Sequence, residues 1–499
     1  MDKFDVLIVG AGISGIGGAV HLSTKCPAKS FAILEGRDAI GGTWDLFRYP
    51  GIRSDSDMYT LGFEFKPWTN AKAIADGPAI KNYLEETAHE YDLKKHIKFQ
   101  HRVKRLDWSS QEACWTVTCE AGEQREPITI KANFVFMGTG YYSYTDPYRP
   151  EFEGSTDFAG QIIHPQLWPE NLDYKDKRVV IIGSGATAIT LVPAMADQGA
   201  GHVTMLQRSP SYIVSRPEKD RLANFLNRTI PLSMAYSFNR WKNIGLSWLM
   251  FKRARARPDK SRDFILNQAR KSLGPDFDIA THLTPRYNPW DQRLCLIPDE
   301  DLFRVLRTGK ADIVTGQIDR FTASGIRLKN GEEVAADMIV TATGLKMEIM
   351  SGVTLTVDGK QTGLGEHMSY KGFMYSNIPN IVSSFGYSNA SWTLKSDLIC
   401  NYMCRLLNHM DENGYTIATP HDPDVKLVPD PMMNLTSGYV QRALNGLPKQ
   451  GDREPWLAHH DYFLDRKNLR KGPVTDAMVF GTAGAAVVQD VPEFAEAAE

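Results

Sequence analysis

Two short apolar runs in this chain each end in a glycine turn. Phe4-Asp5-Val6-Leu7-Ile8-Val9 runs into Gly10-Ala11-Gly12-Ile13-Ser14-Gly15, and Arg178-Val179-Val180-Ile181-Ile182 runs into Gly183-Ser184-Gly185-Ala186-Thr187-Ala188. A continuous apolar run without alternation reads as a strand buried on both faces, and the glycines after it read as a tight turn opening a helix. Further strands are expected at Ser30 to Leu34 and His202 to Leu206. The pattern thus predicts two independent β–α–β starts and an α/β fold with two Rossmann-like dinucleotide-binding domains. Two more apolar runs, Phe134 to Met137 before Gly138-Thr139-Gly140 and Asp337 to Thr341 before Ala342-Thr343-Gly344, read as crossings where the chain passes between the domains. Leu222 to Leu283, rich in Arg, Lys, Trp, Phe and Leu at helical spacing, reads as a helical insertion.

These signals divide the chain into domains. The FAD-binding domain is expected in two segments, 1–145 and 336–471. The NADPH-binding domain is expected in 146–215 and 286–335, with the helical insertion at 216–285 between them. The tail, 472–499, is rich in Ala, Gly and Glu and is expected to be loosely ordered.

The cofactor assignments come from the charge at the end of the strand after each turn. In G-x-G-x-x-G the first glycine makes the turn, the second lets a pyrophosphate approach the backbone, and the third packs helix on strand. Gly10, Gly12 and Gly15 meet that pattern, and Glu35 lies 20 residues after Gly15, where a carboxylate can accept from both ribose hydroxyls and would repel a 2′-phosphate. This site suits FAD or NAD. Gly183, Gly185 and Ala188 form the second motif, with Thr187 inside it, and Arg208 stands 20 residues after Ala188, where a guanidinium can pair with a 2′-phosphate. Opposite charges at equivalent positions therefore assign FAD to the first site and NADPH to the second. Two such sites in one chain imply hydride transfer from NADPH to a flavin.

The 499 residues, formal net charge of -2 and 42% hydrophobic content describe an ordinary globular protein with no bulk attraction to nucleic acid. Six cysteines make no disulfide framework, and the twelve histidines show no metal-ligand spacing, so no metal is expected. Asp2 and Asp5 argue against a signal peptide, no apolar run is long enough to span a bilayer, and the expected location is the cytoplasm. The stretch Leu246 to Phe251, with Lys252, Arg253, Arg255 and Arg257 after it, has two readings. The favoured one is a helix packed on the nucleotide domains with a solvated basic end; the other is peripheral contact with a membrane surface. The expected assembly is a monomer or a small homo-oligomer.

The fate of the reduced flavin turns on cysteine. Disulfide reductases of similar layout place a cysteine pair just after the first β–α–β unit, whereas Gly41 to Gly51 contains none. Cys114 and Cys119, five positions apart in a strand-like run, point to opposite faces. With no protein disulfide to reduce, O2 is the natural acceptor.

Phe158-Ala159-Gly160-Gln161-Ile162-Ile163-His164-Pro165-Gln166-Leu167-Trp168-Pro169 resembles the F-x-G-x-x-x-H-x-x-x-W-P fingerprint of Baeyer–Villiger monooxygenases, and Gly41 to Asp55 resembles a second pattern of that family, G-G-x-W-x4-[FY]-P-G-x3-D. Trp44 to Tyr59 and Asn288 to Leu296 are similar to the bacterial subgroup that contains the ethionamide-activating monooxygenases, which also resembles proteins implicated in long-chain alkane use. The resemblance implies oxidation of a ketone to an ester through a C4a-peroxyflavin, with sulfoxidation as a side activity. It implies Arg293 as the active-site arginine and Asp55 as the carboxylate that positions it. Thr43, Trp44 and Gly344 are implied as cofactor contacts, and His164 and Trp168 as residues coupling the domains. Trp392 has two readings, a wall of the substrate pocket and a plain core tryptophan. One departure is Gln292, where many family members carry a lysine that helps hold the 2′-phosphate; Arg208 is then expected to carry more of the NADPH preference. The competing readings are an S- or N-oxygenase or long-chain alkane hydroxylase on the same fold, a flavin disulfide reductase or electron-transfer flavoprotein, and a non-enzymatic flavin-binding protein.

Overall fold

A computed structural model describes residues 1–432 and 435–484. Its first unit is built on strands β1 (Lys3–Val9), β2 (Phe31–Leu34) and β3 (Glu126–Met137), with β1 pairing parallel to both neighbours. Val6 to Ile8 have no exposed surface, as the unbroken apolar run of a central parallel strand requires. The sheet continues as a nine-stranded mixed layer through the antiparallel strands His101–Ser109 and Cys114–Ala121, while Ile381–Ser383 joins β3 from the far end of the sequence. Helix α1 (Ile13–Lys25) comes directly after the first glycine turn.

The second unit is a five-stranded parallel sheet. Strand β4 (Arg178–Ile182) pairs with β5 (His202–Gln207) on one side and with β6 (Met338–Thr341) on the other; Ala311–Thr315 and Gln161–Ile163 form the edges. Helix α2 (Ala186–Asp197) comes after the second glycine turn. The expected boundary at 336 is displaced. Strand β6 belongs to the second sheet, and the chain returns to the first only with Thr354–Val357, which pairs with His101–Ser109. The reason is register: Met338 to Thr341 align with Val179 to Ile182 and complete the burial of β4.

Between the units lie α3 (Arg221–Thr229), α4 (Leu232–Ala256) and α5 (Pro258–Leu273). Helix α4 is fastened to the first unit by buried polar groups. Arg240 Nη1 donates to Tyr59 O (2.8 Å) and Gly62 O (2.7 Å), Arg240 Nη2 faces Asp397 (3.3 Å), and the Tyr236 hydroxyl donates to Phe63 O (2.8 Å). A buried guanidinium needs such a set of acceptors to offset its lost hydration. Helix α6 (Trp392–Asn413) packs on α1, and α7 (Tyr462–Lys471) packs on α6. The expectation of a loose tail from 472 does not hold for its first part: Met478–Gly481 pairs antiparallel with Ile417–Pro420 and so is a strand. The rest of that tail, 485–499, lies outside the described residues.

Candidate active site

The two glycine turns are local solutions to the same problem. Gly10 sits at φ +100°, and a Cβ on Gly15 would stand 1.8 Å from the carbonyl oxygen of Gly10, so the third position of the motif admits no side chain. Gly12 and Gly185 are the N-caps of α1 and α2, and neither helix has a side-chain cap. The first N–H groups of both helices are thus left for an external acceptor, at the positive end of the helix dipole. A Cβ built on Gly185 would meet nothing within 4 Å, which leaves open space before α2 for a phosphate. Ala188, in the third position of that motif, is fully buried. These features fit one dinucleotide at each turn.

Glu35, at the end of β2, is buried, and its carboxylate is tied to the backbone: Oε2 accepts from the Ala11 N–H (2.7 Å) and Oε1 from the Arg37 N–H (2.9 Å). Burial raises its pKa, and the two backbone bonds work in the opposite direction. Each oxygen keeps a second lone pair for a ribose hydroxyl. Arg208, immediately after β5, is exposed and makes no ion pair among the described residues. Its neighbour Gln207 turns inward, donating through Nε2 to His282 O (2.7 Å) and Thr315 Oγ1 (2.9 Å). The strand end is therefore anchored while the guanidinium stays free.

Thr43 opens a one-turn helix whose leading residue, Gly42, lies against Gly12 of the first turn. The Thr43 hydroxyl accepts from the Tyr142 hydroxyl (2.6 Å), and Trp44 packs against the core beneath. Asp45 beside them is buried; burial opposes its charge, but hydrogen bonds from Lys81 (2.7 Å) and Arg37 (2.6 Å) hold its pKa below the usual carboxylate value. No spacing in the sequence points to this ion cluster, although Asp45 lies inside the Gly41 to Asp55 pattern.

Arg293 and Asp55 open onto one cavity of about 510 Å³ at the junction of the two units and the insertion. Arg293 Nη2 donates to Tyr387 O (3.1 Å). Its side chain is exposed to the cavity; crowding by the surrounding protein works against its charge, but Tyr141, Tyr439 and Asp55 more than restore it, and its pKa is raised. Asp55 is likewise exposed to the cavity; desolvation by the protein around it raises its pKa, while Arg293 and Arg53 pull it down. No carboxylate–guanidinium contact within 4.0 Å joins Asp55 to Arg293, and Arg53 binds Asp301 (2.6 Å). The two groups act on each other through the cavity. Tyr141 and Tyr439 escape sequence reasoning because they come from distant segments; the aromatic run after Gly138-Thr139-Gly140 was the available signal for the first of them.

Trp392 is not in the cavity wall. Its neighbours Ser391 and Leu394 are, whereas its own ring stacks on Tyr141 (5.3 Å between centroids) and its Nε1 donates to Ser14 Oγ (2.8 Å) in the first turn of α1. Seated at the start of α6, it braces the first nucleotide turn. His164 is buried, with Nδ1 accepting from the Gln166 N–H (3.2 Å), and it lies against the backbone of Tyr148 and Gly344. Gly344 has φ +105° and is exposed just beyond β6. Trp168 packs on the core of the second unit, edge to face with Tyr174.

His460, in the cavity wall, carries no sequence signal of its own. Its Nε2 donates to Met432 O (3.0 Å), so Nδ1 is left to accept from the Ser388 hydroxyl (3.3 Å), an arrangement that only a neutral ring satisfies. Burial and the Lys395 charge bring its pKa down to about 4; burial and Arg149 do the same for His164. Between about pH 6.5 and 4 the unfolded chain therefore binds more protons at these sites than the folded one, and their contribution to stability is present above that window and lost as pH falls through it. Melting temperature measured across it should fall less steeply in His164→Asn/His460→Asn than in the parent; equal slopes would contradict the assignment.

The sequence matches the family described as flavin-binding monooxygenase-like over residues 72–267, and the NAD(P)-binding Rossmann-like domain over residues 8–76. It is 52% identical to the FAD-containing monooxygenase EthA of Mycolicibacterium smegmatis, over 98% of this chain and 99% of that one. The chain belongs to this family of FAD-containing monooxygenases. A probable FAD-binding monooxygenase, AlmA of Acinetobacter baylyi, is 49% identical over 96% of both chains. Among solved structures, an oxidized steroid monooxygenase bound to NADP superposes with a TM-score of 0.76 at 21% identity, over 96% of this chain and 100% of that one. A cyclohexanone monooxygenase in an open form gives a TM-score of 0.74 at 19% identity, over 97% and 100%. These two structures share the two-unit fold described above.

Proposed function

We propose that this flavin monooxygenase carries out Baeyer–Villiger oxidation, converting a ketone to an ester with NADPH and O2, and oxidises sulfides as a side reaction. The observation that carries the reading is the placement of Arg293. A permanently charged, planar guanidinium opens, together with the Asp55 carboxylate, onto a largely apolar cavity that the two units and the insertion line.

In this reading the turn at Gly10, Gly12 and Gly15 would hold the pyrophosphate of FAD, Glu35 would take its ribose, and Thr43 and Trp44 would contact it from the next segment. The turn at Gly183, Gly185, Thr187 and Ala188 holds NADPH. The reduced flavin, once bound, supplies activated oxygen. The chain's own residues do the rest. Arg293 orients the ketone carbonyl and stabilises negative charge as it develops on that oxygen, which the cavity's low polarity makes more effective. Asp55 biases the guanidinium's orientation through the cavity. Apolar groups such as Ile244, Phe251 and Leu394 exclude water. His164 and Trp168, on the segment next to Gly344, transmit movement between the units. Residues 1–145 and 342–471 form the FAD-binding domain, and 146–215 with 286–341 form the NADPH-binding domain.

The test is to incubate FAD-loaded protein with NADPH, O2 and 2-decanone and to look for ester by mass spectrometry. Ester formation supports the reading; NADPH consumption that yields only peroxide with ketones, while sulfides turn over, replaces it with heteroatom oxygenation. A separate prediction concerns Arg208. With Gln292 unable to contribute charge, Arg208→Ala should raise the KM for NADPH about 10- to 100-fold and leave that for NADH nearly unchanged, the loss expected for a charge-assisted contact. Steady-state kinetics with both nucleotides decides it, and an unaltered preference would remove Arg208 from the site.

A further inference from the structure

The outward face of the helical insertion is apolar where solvent should demand polarity. On α4 the stripe that faces away from the protein carries Met234, Phe238 and Leu249, which are 62%, 53% and 58% exposed; Trp241 at its edge is 39% exposed and packs against Tyr462, Phe463 and the Arg466 guanidinium of α7. The opposite face, Tyr236, Arg240 and Ile244, is buried. The buried face carries its own polar fastening through Arg240, so the exposed apolar stripe is the part of the helix left without a partner. The neighbours extend it. Phe225 on α3 is 61% exposed, and Phe463 on α7 stands edge to face with Trp248 (5.3 Å). Phe264 on α5, 65% exposed, lies at the mouth of the cavity with Met250.

A basic rim surrounds this surface. Arg221 and Arg228 on α3, Arg253 at the end of α4, Arg257 just beyond it and Lys260 on α5 are all exposed, and none makes an ion pair among the described residues. Several nearby carboxylates are engaged, Asp220 with Lys242, Asp461 with Lys252 and the Trp248 Nε1–H, and Asp291 with Arg255, while Asp263 beside Phe264 is exposed and makes no ion pair among the described residues, so the balance of unpaired charge here is positive. An apolar face ringed by cations that lack intramolecular partners has the chemistry of an anionic bilayer surface, where aromatic and aliphatic groups enter the acyl boundary and Lys and Arg meet phosphate headgroups. A second copy of this chain would bring the same cations against themselves. Among the described residues no helix is long and apolar enough to cross a membrane, so this face would rest on one.

We propose that α3, α4 and the tip of α7 form a peripheral docking surface for anionic phospholipid membranes, with the mouth of the cavity turned toward the lipid. The bound protein would then draw apolar substrate from the acyl phase past Met250 and Phe264. That consequence rests on the proposed reaction; membrane binding itself does not.

The test uses the FAD-loaded full chain in flotation with vesicles of phosphatidylcholine alone and of phosphatidylcholine mixed equally with phosphatidylglycerol. The protein should float with the anionic vesicles and much less with the neutral ones. Phe225→Ser/Phe238→Ser/Leu249→Ser should lower the floated fraction about ten-fold or more, with the yellow flavin spectrum and NADPH oxidation retained. Absence of flotation in the parent, or equal flotation of the triple variant, overturns the proposal. So does a parent dimer that the triple variant dissociates in sedimentation velocity and that does not float, which assigns the face to a second copy. Should the triple variant not fold, brominated acyl chains provide a readout in otherwise intact protein. They should quench parent tryptophan emission, and Trp241→Phe should lose part of that quenching; no quenching in the parent overturns the proposal equally.

Discussion

Replacing Arg293 with alanine is expected to lower ester formation about 10²- to 10³-fold while reduction of the flavin by NADPH persists, the loss typical of removing one donor to a developing oxyanion. The separation of the two half-reactions comes from position. Arg293 faces the cavity and Tyr387 O, whereas the turn at Gly183 and Gly185 offers the backbone N–H groups of α2, so the nucleotide site keeps its own contacts. Arg293→Lys should recover only a small part, because an ammonium lacks the planar fork that can reach the carbonyl of Tyr387 and a substrate oxygen together. Asp55→Asn should cost less than Arg293→Ala, since no direct ion pair joins the two. Stopped-flow reduction of the flavin, with ester yield then measured in single turnover, distinguishes these outcomes. Ester formed by Arg293→Ala at the parent rate would remove the arginine from the chemistry.

The features legible in the sequence had a local cause. A G-x-G-x-x-G turn constrains a few consecutive residues, and the charge at the end of the next strand lies at a fixed distance from it, so both nucleotide turns and the contrast between Glu35 and Arg208 were visible without a fold. The family patterns supplied Arg293 and Asp55. The features that escaped were assembled from afar. The cavity takes Asp55 from the first unit, Arg293 from the second, Ile244 from the insertion and His460 from near the end of the chain, and no spacing links them. Strand β6 was assigned to the wrong unit because four buried apolar residues look alike in either sheet; only pairing with Val179 to Ile182 decides. The two readings of Trp392 could not be separated for a related reason. Its neighbours Ser391 and Leu394 reach the cavity, but at the first turn of a helix adjacent side chains point in directions about 100° apart, and its own points toward Ser14. Membrane contact by the insertion had little support in sequence, where α4 shows no clear polar face, and gained force once its outward apolar stripe was seen to be uncovered.

The two glycine turns should respond differently to one added methyl, and the contrast tests whether each glycine serves the fold or the ligand. At Gly15 a Cβ would lie 1.8 Å from Gly10 O, a backbone atom that cannot rotate away. To accommodate it α1 must move off β1, and with it the N–H groups that the FAD pyrophosphate needs. Gly15→Ala is therefore expected to be isolated without flavin, to melt several degrees below the parent even when both are measured without cofactor, and to show no monooxygenase activity. Gly185 has an extended backbone (φ -84°, ψ -177°) that any residue adopts, and its Cβ would meet no protein atom within 4 Å. Gly185→Ala should keep its flavin and its melting temperature and lose nucleotide affinity alone, by ten-fold or more, because the methyl fills the space in which a phosphate approaches α2. Melting curves with and without FAD, together with titration of NADP+ against flavin absorbance, separate the two. A Gly185→Ala protein that binds NADP+ as the parent does would mean that the space before α2 is not where the pyrophosphate lies, and the assignment of NADPH to the second unit would then rest on Arg208 alone.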